Sequence, residues 1–379
     1  MNNDVSAPYQ QFLRGKYFPS LDGLRCLSII AVIWHRTAPH GKEGLLAKGY
    51  LGVELFFTIS GFLITTLLLR ELRENGRISL PNFYARRTLR IFPLYYTVLA
   101  LYVLLVWRLE PNSPAGQQFF RNLPAFLSYT YNWIHTEDLH GPNRIIFFFA
   151  WSLATEEQFY LLWPWVVRFA RKWQTPVLIL IAVLLIHAGT VWGVWEGYLN
   201  AGQLWVRILL EIAAPILLGC LAAYALDRPA GFRAAYFVAG QWWSAPLSAV
   251  LLVLGLAIPA TPMILVYLSM AYLVTACCIR WDHPLRAILG NPVVRYIGAI
   301  SYGMYLLHML ANNAARKIAP GLGGIATFVV TVVVAIGLAS ASYQLYERRF
   351  LKLKERFGGR VRSPGSLSTL LRPGQVAAS

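Results

Sequence analysis

The stretch FYARRTLRIFPLYYTVLALYVLLVW, residues 83–107, sets three arginines at the head of an almost wholly apolar run. About 18 apolar residues suffice for a helix to cross the ~30 Å hydrocarbon layer of a bilayer. The run over 91–108 therefore reads as a membrane span, and Arg86, Arg87 and Arg90 stand at its edge. By topology alone they anchor an inside loop. Because a guanidinium donates in a planar fork suited to phosphate oxygens, a phosphate-rich ligand is the functional alternative.

Working outward, the same apolar pattern recurs along the chain. Candidate spans are 21–38, 50–70, 91–108, 146–168, 176–194, 204–226, 240–259, 262–279, 293–312 and 324–345. The fold class expected is all-α: a polytopic membrane bundle of about ten transmembrane helices. Of the 379 residues 57% are hydrophobic and only 13% charged, too few charges to cover a soluble protein of this size. The segment 109–145 holds the short piece LPAFLSYTYNW, too short and polar for a span, which predicts a re-entrant or interfacial element. The polar opening MNNDVSAPYQQFLRGKYFPSLDG lacks the pattern of a signal peptide.

The net charge of +17 would suggest nucleic acid in a soluble domain. Here the basic residues fall in short loops between apolar runs, which is how membrane proteins mark their inside face, and no nucleic-acid partner is expected. Arg14, Arg70, Arg73, Arg77, the arginine triplet, Arg168, Arg171, Arg228, Arg233, Arg280, Arg286 and the run Arg348 to Arg356 all fall on one side. Both termini are thus expected in the cytoplasm. The domain division is 1–20 as a cytoplasmic segment, 21–350 as the membrane domain and 351–379 as a basic, disordered tail. Cys26, Cys220, Cys277 and Cys278 lie in apolar runs and read as small core residues, with neither a zinc site nor a disulfide framework.

Several spans carry ionisable groups, which are costly in a membrane and usually face the bundle interior. The first, SLDGLRCLSIIAVIWHRTAPH, has Asp22 and Arg25 at its inner end and His35 and Arg36 further out. From Arg25 to His35 is ~15 Å of helix rise. His35 can take and return a proton near neutral pH. The second span places Glu54 near its outer end and Ser60–Gly61 within it, small residues that allow close helix approach. Ser60 has no G-x-S-x-G setting and reads as packing rather than a nucleophile. In WSLATEEQFYLLWPW, Ser152, Glu156 and Tyr160 are spaced by four on one helix face, with Glu157 adjacent. ISYGMYLLHML brings Tyr305 and His308 onto one helix. His40, His135, His140, His187 and His283 lack comparable company and read as structural. No metal-ligand cluster is evident.

SLDGLR with WH, GVELFFTISGFLIT, FYARRTLRIFPLYY, WSLATEEQFYLLWP and SYGMYLLHML occur in the order and spacing of the membrane acyltransferase-3 family, and the chain resembles that family over residues 18–350. The resemblance implies about ten helices and transfer of an acyl group, usually acetyl, from cytoplasmic acyl-coenzyme A to a hydroxyl of a sugar or other acceptor. It implies an essential first-span histidine and links the basic motif to the coenzyme. In this chain that points to His35 as general base, with Glu156 or Glu157 orienting it or sharing in proton transfer. Arg86, Arg87 and Arg90 would hold the phosphates of acetyl-CoA, and Arg25, Asp22, Tyr160 and His308 would complete the donor and substrate site. One departure stands out: His35 lies ten residues after Arg25, whereas family members often place it one further, a position held here by Arg36. The expected protein is an O-acetyltransferase in the bacterial inner membrane, using acetyl-CoA as donor substrate, with no permanently bound cofactor. Its acceptor would be a surface glycan, an exopolysaccharide or a lipid-linked oligosaccharide. The alternatives are a flippase for a lipid-linked sugar and an acyltransferase for a small molecule. A flippase has no need of the arginine triplet.

Overall fold

A computed structural model describes residues 5–15, 17–37, 44–134, 146–194, 206, 208, 212–318, 320–321 and 323–357. The described residues form helices and no strand. In order these are α1 (Ser6–Arg14), α2 (Pro19–Thr37), a 3-10 segment (Gly44–Leu51), α3 (Gly52–Asn75), α4 (Leu80–Leu109), α5 (Pro114–Leu127), α6 (Ala150–Phe169), α7 (Gln174–Val191) and α8 (Ala214–Asp227). There follow α9 (Pro229–Ala239), α10 (Ser244–Ala257), α11 (Met263–Ile279), α12 (Arg286–Leu289), α13 (Pro292–Ala299), α14 (Ser301–Ile318), α15 (Gly324–Ser342) and α16 (Arg348–Lys354).

A helix stands at each of the ten places that the apolar runs mark out. Four continuous helices are long and apolar enough by themselves to cross a membrane: 47–75, α4, α7 and 324–354. Counting each bent pair as one span raises this to six. Length and composition alone thus qualify four to six spans rather than ten. Four helices stay outside that count: α8 and α11, with only 14 and 17 residues, and α6 and α14, whose 20 and 18 residues include polar and charged side chains; α10 enters it only together with α9, from which it is bent by 71°. The chain is a membrane helical protein built partly from short and broken helices. His40, His135, His140 and the tail beyond residue 357 lie outside the described residues.

Local sequence sets the helix ends. The Ser113 hydroxyl accepts the Gly116 N–H and Pro114 opens α5, satisfying a donor that the first turn would leave unpaired. Asn291 does the same for Val293 ahead of Pro292 in α13. Two apolar clusters hold the bundle, one centred on α4, α6 and α14, the other on α11; α2, α3 and α8 contribute to both.

The basic loops converge on one end of the bundle. Arg73 pairs with Asp227, Arg168 donates to the Ile78 carbonyl, and Arg280 to Gly240 at 3.2 Å. Arg70, 5% exposed, donates to the Phe12 carbonyl at 3.0 Å and lies over the Phe18 ring, clipping α1 to α3. Arg86 donates to the Phe357 carbonyl at 2.8 Å, so both described ends of the chain sit at this end. His283 belongs here too, within hydrogen-bond distance of Ser20 at 3.0 Å. Burial, then the charge of Arg286, lowers its pKa, as suits a packed neutral imidazole.

The piece after α5 re-enters the bundle. Tyr129 stacks on Tyr95 at 4.4 Å, half-way along α4, and the Tyr95 hydroxyl donates to the Phe126 carbonyl at 2.8 Å. Non-helical backbone at this depth must find partners inside the protein. Gln158 of α6 supplies them, donating to the Tyr129 carbonyl at 2.7 Å and to the Asn132 side chain at 2.8 Å. Tyr129 and Phe147, which bracket this segment, hold positive φ of 54° and 63°, strain that surrounding contacts must maintain.

Candidate active site

At the basic end, Arg25 pairs with Asp22 at 2.8 Å. Asp22 also accepts from the Tyr17 hydroxyl, which accepts from Arg295 at 3.1 Å. Asp22 is therefore committed to a small network that fixes Arg25. The arginine triplet divides. Arg86 turns away to Glu71, at 3.0 Å, and to the C-terminal segment. Arg87 lies over the Tyr160 ring at 3.6 Å, its Nε buried without a hydrogen-bond partner among the described residues. Arg90 is exposed yet lies within electrostatic reach of Arg25, Arg87, Asp22 and Glu347. Arg90 thus stands accessible at the edge of this cluster of charges.

From Arg87 a polar tract runs through the bundle. Glu156 and Glu157 both act on Tyr160 and on Tyr302, and Arg87 acts on Glu157. Ser60 lies beside Tyr160, so it lines the tract as well as packing its helix. Further along, the Ser152 and Tyr305 hydroxyls meet at 2.5 Å. Tyr305 also feels Arg36, Glu156 and Glu54, and the Glu54 Oε2 is buried without a partner among the described residues. Ser152, Glu156 and Tyr160 thus turn the same side of α6 to the tract, while α14 contributes Tyr302, Tyr305 and His308. Glu54, Glu156, Glu157 and Glu347 thus lie in or beside this tract. Among the described residues no group of three metal-ligating side chains occurs.

The two histidines stand differently. His35 Nδ1 lies 3.1 Å from the Ala47 carbonyl, and its ring meets the edge of Tyr50 at 5.4 Å; it turns toward the 3-10 segment. Arg36 takes the interior position, its guanidinium 4.1 Å from the Phe148 ring centre and acting on Tyr305 and His308. The reason is helix phase. Arg36 is eleven residues after Arg25, about 20° from it around the axis, whereas His35 is about 80° away. Sequence reasoning gave Arg36 no role, and that phase was the available signal. Tyr302, Gln158 and Glu347 were also missed, because their partners lie on other helices.

The family model described as an acyltransferase domain, Acyl_transf_3, matches residues 18–344. The chain belongs to the acyltransferase-3 family. A relative named peptidoglycan O-acetyltransferase OatA, from Listeria monocytogenes, is 30% identical over 319 residues, which cover 77% of this chain and 49% of the relative. An O-acetyltransferase OatA of Staphylococcus aureus is 36% identical over 158 residues, 41% of this chain and 25% of that protein. The chain spans about half the length of the first of these relatives. No solved structure matches. Within this acyltransferase domain the matched region runs from the Asp22–Arg25 pair to the end of α15, and so contains the whole tract apart from Glu347.

Proposed function

We propose that this protein is a membrane O-acetyltransferase that moves acetyl from acetyl-CoA to a hydroxyl of a glycan. The observation that carries the donor reading is Arg90, exposed beside Arg25 and Arg87 and making no hydrogen bond among the described residues. Clustered guanidinium groups repel one another, and a phosphate-bearing ligand relieves that repulsion through charge-assisted bonds. Arg87 and Arg90 would take the coenzyme phosphates, with the acyl arm lying along the tract past Glu157, Tyr160 and Tyr302. The glycan acceptor is supported by the family and by what its relatives are named for; peptidoglycan is the leading candidate, and a lipid-linked or exported polysaccharide the alternative.

The reaction needs one proton acceptor for the attacking hydroxyl. The chain offers two imidazoles for this, His308 at the far end of the tract and His35 beside the 3-10 segment. A carbonyl can only accept, so Nδ1–H donates in His35 to Ala47 and in His308 to Tyr305, leaving Nε2 as the basic nitrogen in each. Glu156 and Glu157 offset the charge of Arg87 and would shuttle or steady the proton.

The basic end would face the cytoplasm, where acetyl-CoA is made, because inside loops collect Lys and Arg. A reporter inserted after Arg77 should read cytoplasmic and one inserted at His140 external. The reverse pattern puts the arginines on the side without donor. The activity itself is tested by supplying radiolabelled acetyl-CoA to inside-out membranes from cells with and without the chain. Base-labile label should appear in the glycan fraction only with the chain; equal labelling of both membranes refutes the reading.

A further inference from the structure

We propose that His308, rather than His35, is the general base in this chain; this rests on the acetyl-transfer reading above. On α2 the face shared with Arg25 looks into the tract, and Arg36 occupies that face at its outer end. His35 is rotated off it, held to the Ala47 carbonyl and set against Tyr50. It serves as a clip between α2 and the 3-10 segment.

His308 has the opposite setting. It is 1% exposed, and its ring is 5.3 Å from Phe149 and 5.6 Å from Tyr305. Its Nδ1–H is committed to the Tyr305 carbonyl at 2.5 Å, which fixes the tautomer. Its Nε2 has no hydrogen-bond partner among the described residues. A buried polar atom left without a partner costs ~1–3 kcal/mol, so such an atom in a folded protein calls for a reason. The Arg36 guanidinium at the outer end of the tract packs on Phe148, whose ring meets Phe149 beside His308, within electrostatic reach of this imidazole. An acceptor hydroxyl entering beside Arg36 supplies the partner that Nε2 lacks.

The step balances with the two substrates alone. The hydroxyl oxygen forms a bond to the thioester carbonyl carbon while its proton passes to His308 Nε2. The carbon–sulfur bond then breaks, the thiolate of coenzyme A leaves, and the imidazolium returns the proton to it. The Arg36 guanidinium would offset the charge that collects on the carbonyl oxygen.

The test compares His308→Gln with His35→Gln in the labelled acetyl-CoA assay on membranes, with coenzyme A thermal shift of the purified proteins as the measure of folding. Glutamine keeps a hydrogen-bond donor for either carbonyl but cannot hold a proton. His308→Gln should bind coenzyme A as wild type does and lose ~10²–10⁴-fold in turnover. His35→Gln should stay within about tenfold of wild type, because its clip is preserved. A folded His308→Gln with near wild-type turnover overturns the proposal. So does a folded, inactive His35→Gln, which decides the matter even where His308→Gln does not fold. Absence of label in wild-type membranes is a different failure: it removes the acetyl-transfer reading and this inference with it.

Discussion

Gly61→Leu should abolish accumulation of the folded protein, and Gly61→Ala should lower its melting temperature sharply. A Cβ built on Gly61 lies 2.1 Å from the Ile216 carbonyl oxygen, and one built on Gly219 lies 2.2 Å from that of Thr58. α3 and α8 therefore meet backbone to backbone through a glycine from each, and the Cys220 thiol reaches the Gly61 carbonyl at 3.5 Å. Between membrane helices lipid tails are as apolar as the side chains, so close packing is the main attraction available. The obstructing atoms are main-chain atoms within helices, which cannot rotate aside as a side chain can. Overpacking ordinarily costs ~1–3 kcal/mol; one methyl here should reach the upper end. An isobutyl group would have to part the helices altogether, against a total stability of ~5–15 kcal/mol. Gly337 of α15, with nothing within 4 Å of its Cβ position, is the control: Gly337→Ala should be neutral or slightly stabilising. Thermal unfolding in detergent, with membrane abundance, measures all three. Equal melting temperatures for Gly61→Ala and Gly337→Ala would mean that α3 and α8 do not meet as described.

That contact shows what the sequence discloses and what it withholds. The second span's Ser60–Gly61 announced a close approach, but not that α8 would be the partner. Helix positions were legible because a membrane forces backbone polar groups to pair within the segment, so each long apolar run has one structural outcome. Where runs were short or bent, as at α8 and across α9–α10, length ceased to discriminate. The re-entrant piece was legible as a failure to be a span. Its fastening by Gln158 and Asn132 was not, since both depend on a residue some 26 positions away. The Arg25–Asp22 pair could be read locally from its three-residue spacing. The division of the arginine triplet could not, because Glu71, Tyr160 and Phe357 each draw one member or another from a different element.

That division shapes the second large effect, on the donor. Arg87→Ala and Arg90→Ala should each raise the KM for acetyl-CoA roughly ten- to hundred-fold, the equivalent of a charge-assisted bond of ~1.5–3 kcal/mol. The acceptor KM should change little, since only the donor carries the phosphates. Arg86→Ala should behave differently. Its guanidinium already serves Glu71 and the Phe357 carbonyl, so its loss should loosen the C-terminal segment and leave the donor KM within about threefold of wild type. Arg87→Lys should recover part of the loss, because an ammonium supplies charge without the fork and stacks less well on Tyr160. Donor lacking the 3′-phosphate separates contact from general charge. If Arg90 holds that phosphate, dephospho-donor and Arg90→Ala should each weaken binding alone and add little together, as two ways of deleting one contact must. Equal KM increases for Arg86, Arg87 and Arg90 would show that the donor responds to net charge and not to placed guanidiniums. An unchanged KM in both Arg87→Ala and Arg90→Ala would move the coenzyme site off this end of the tract.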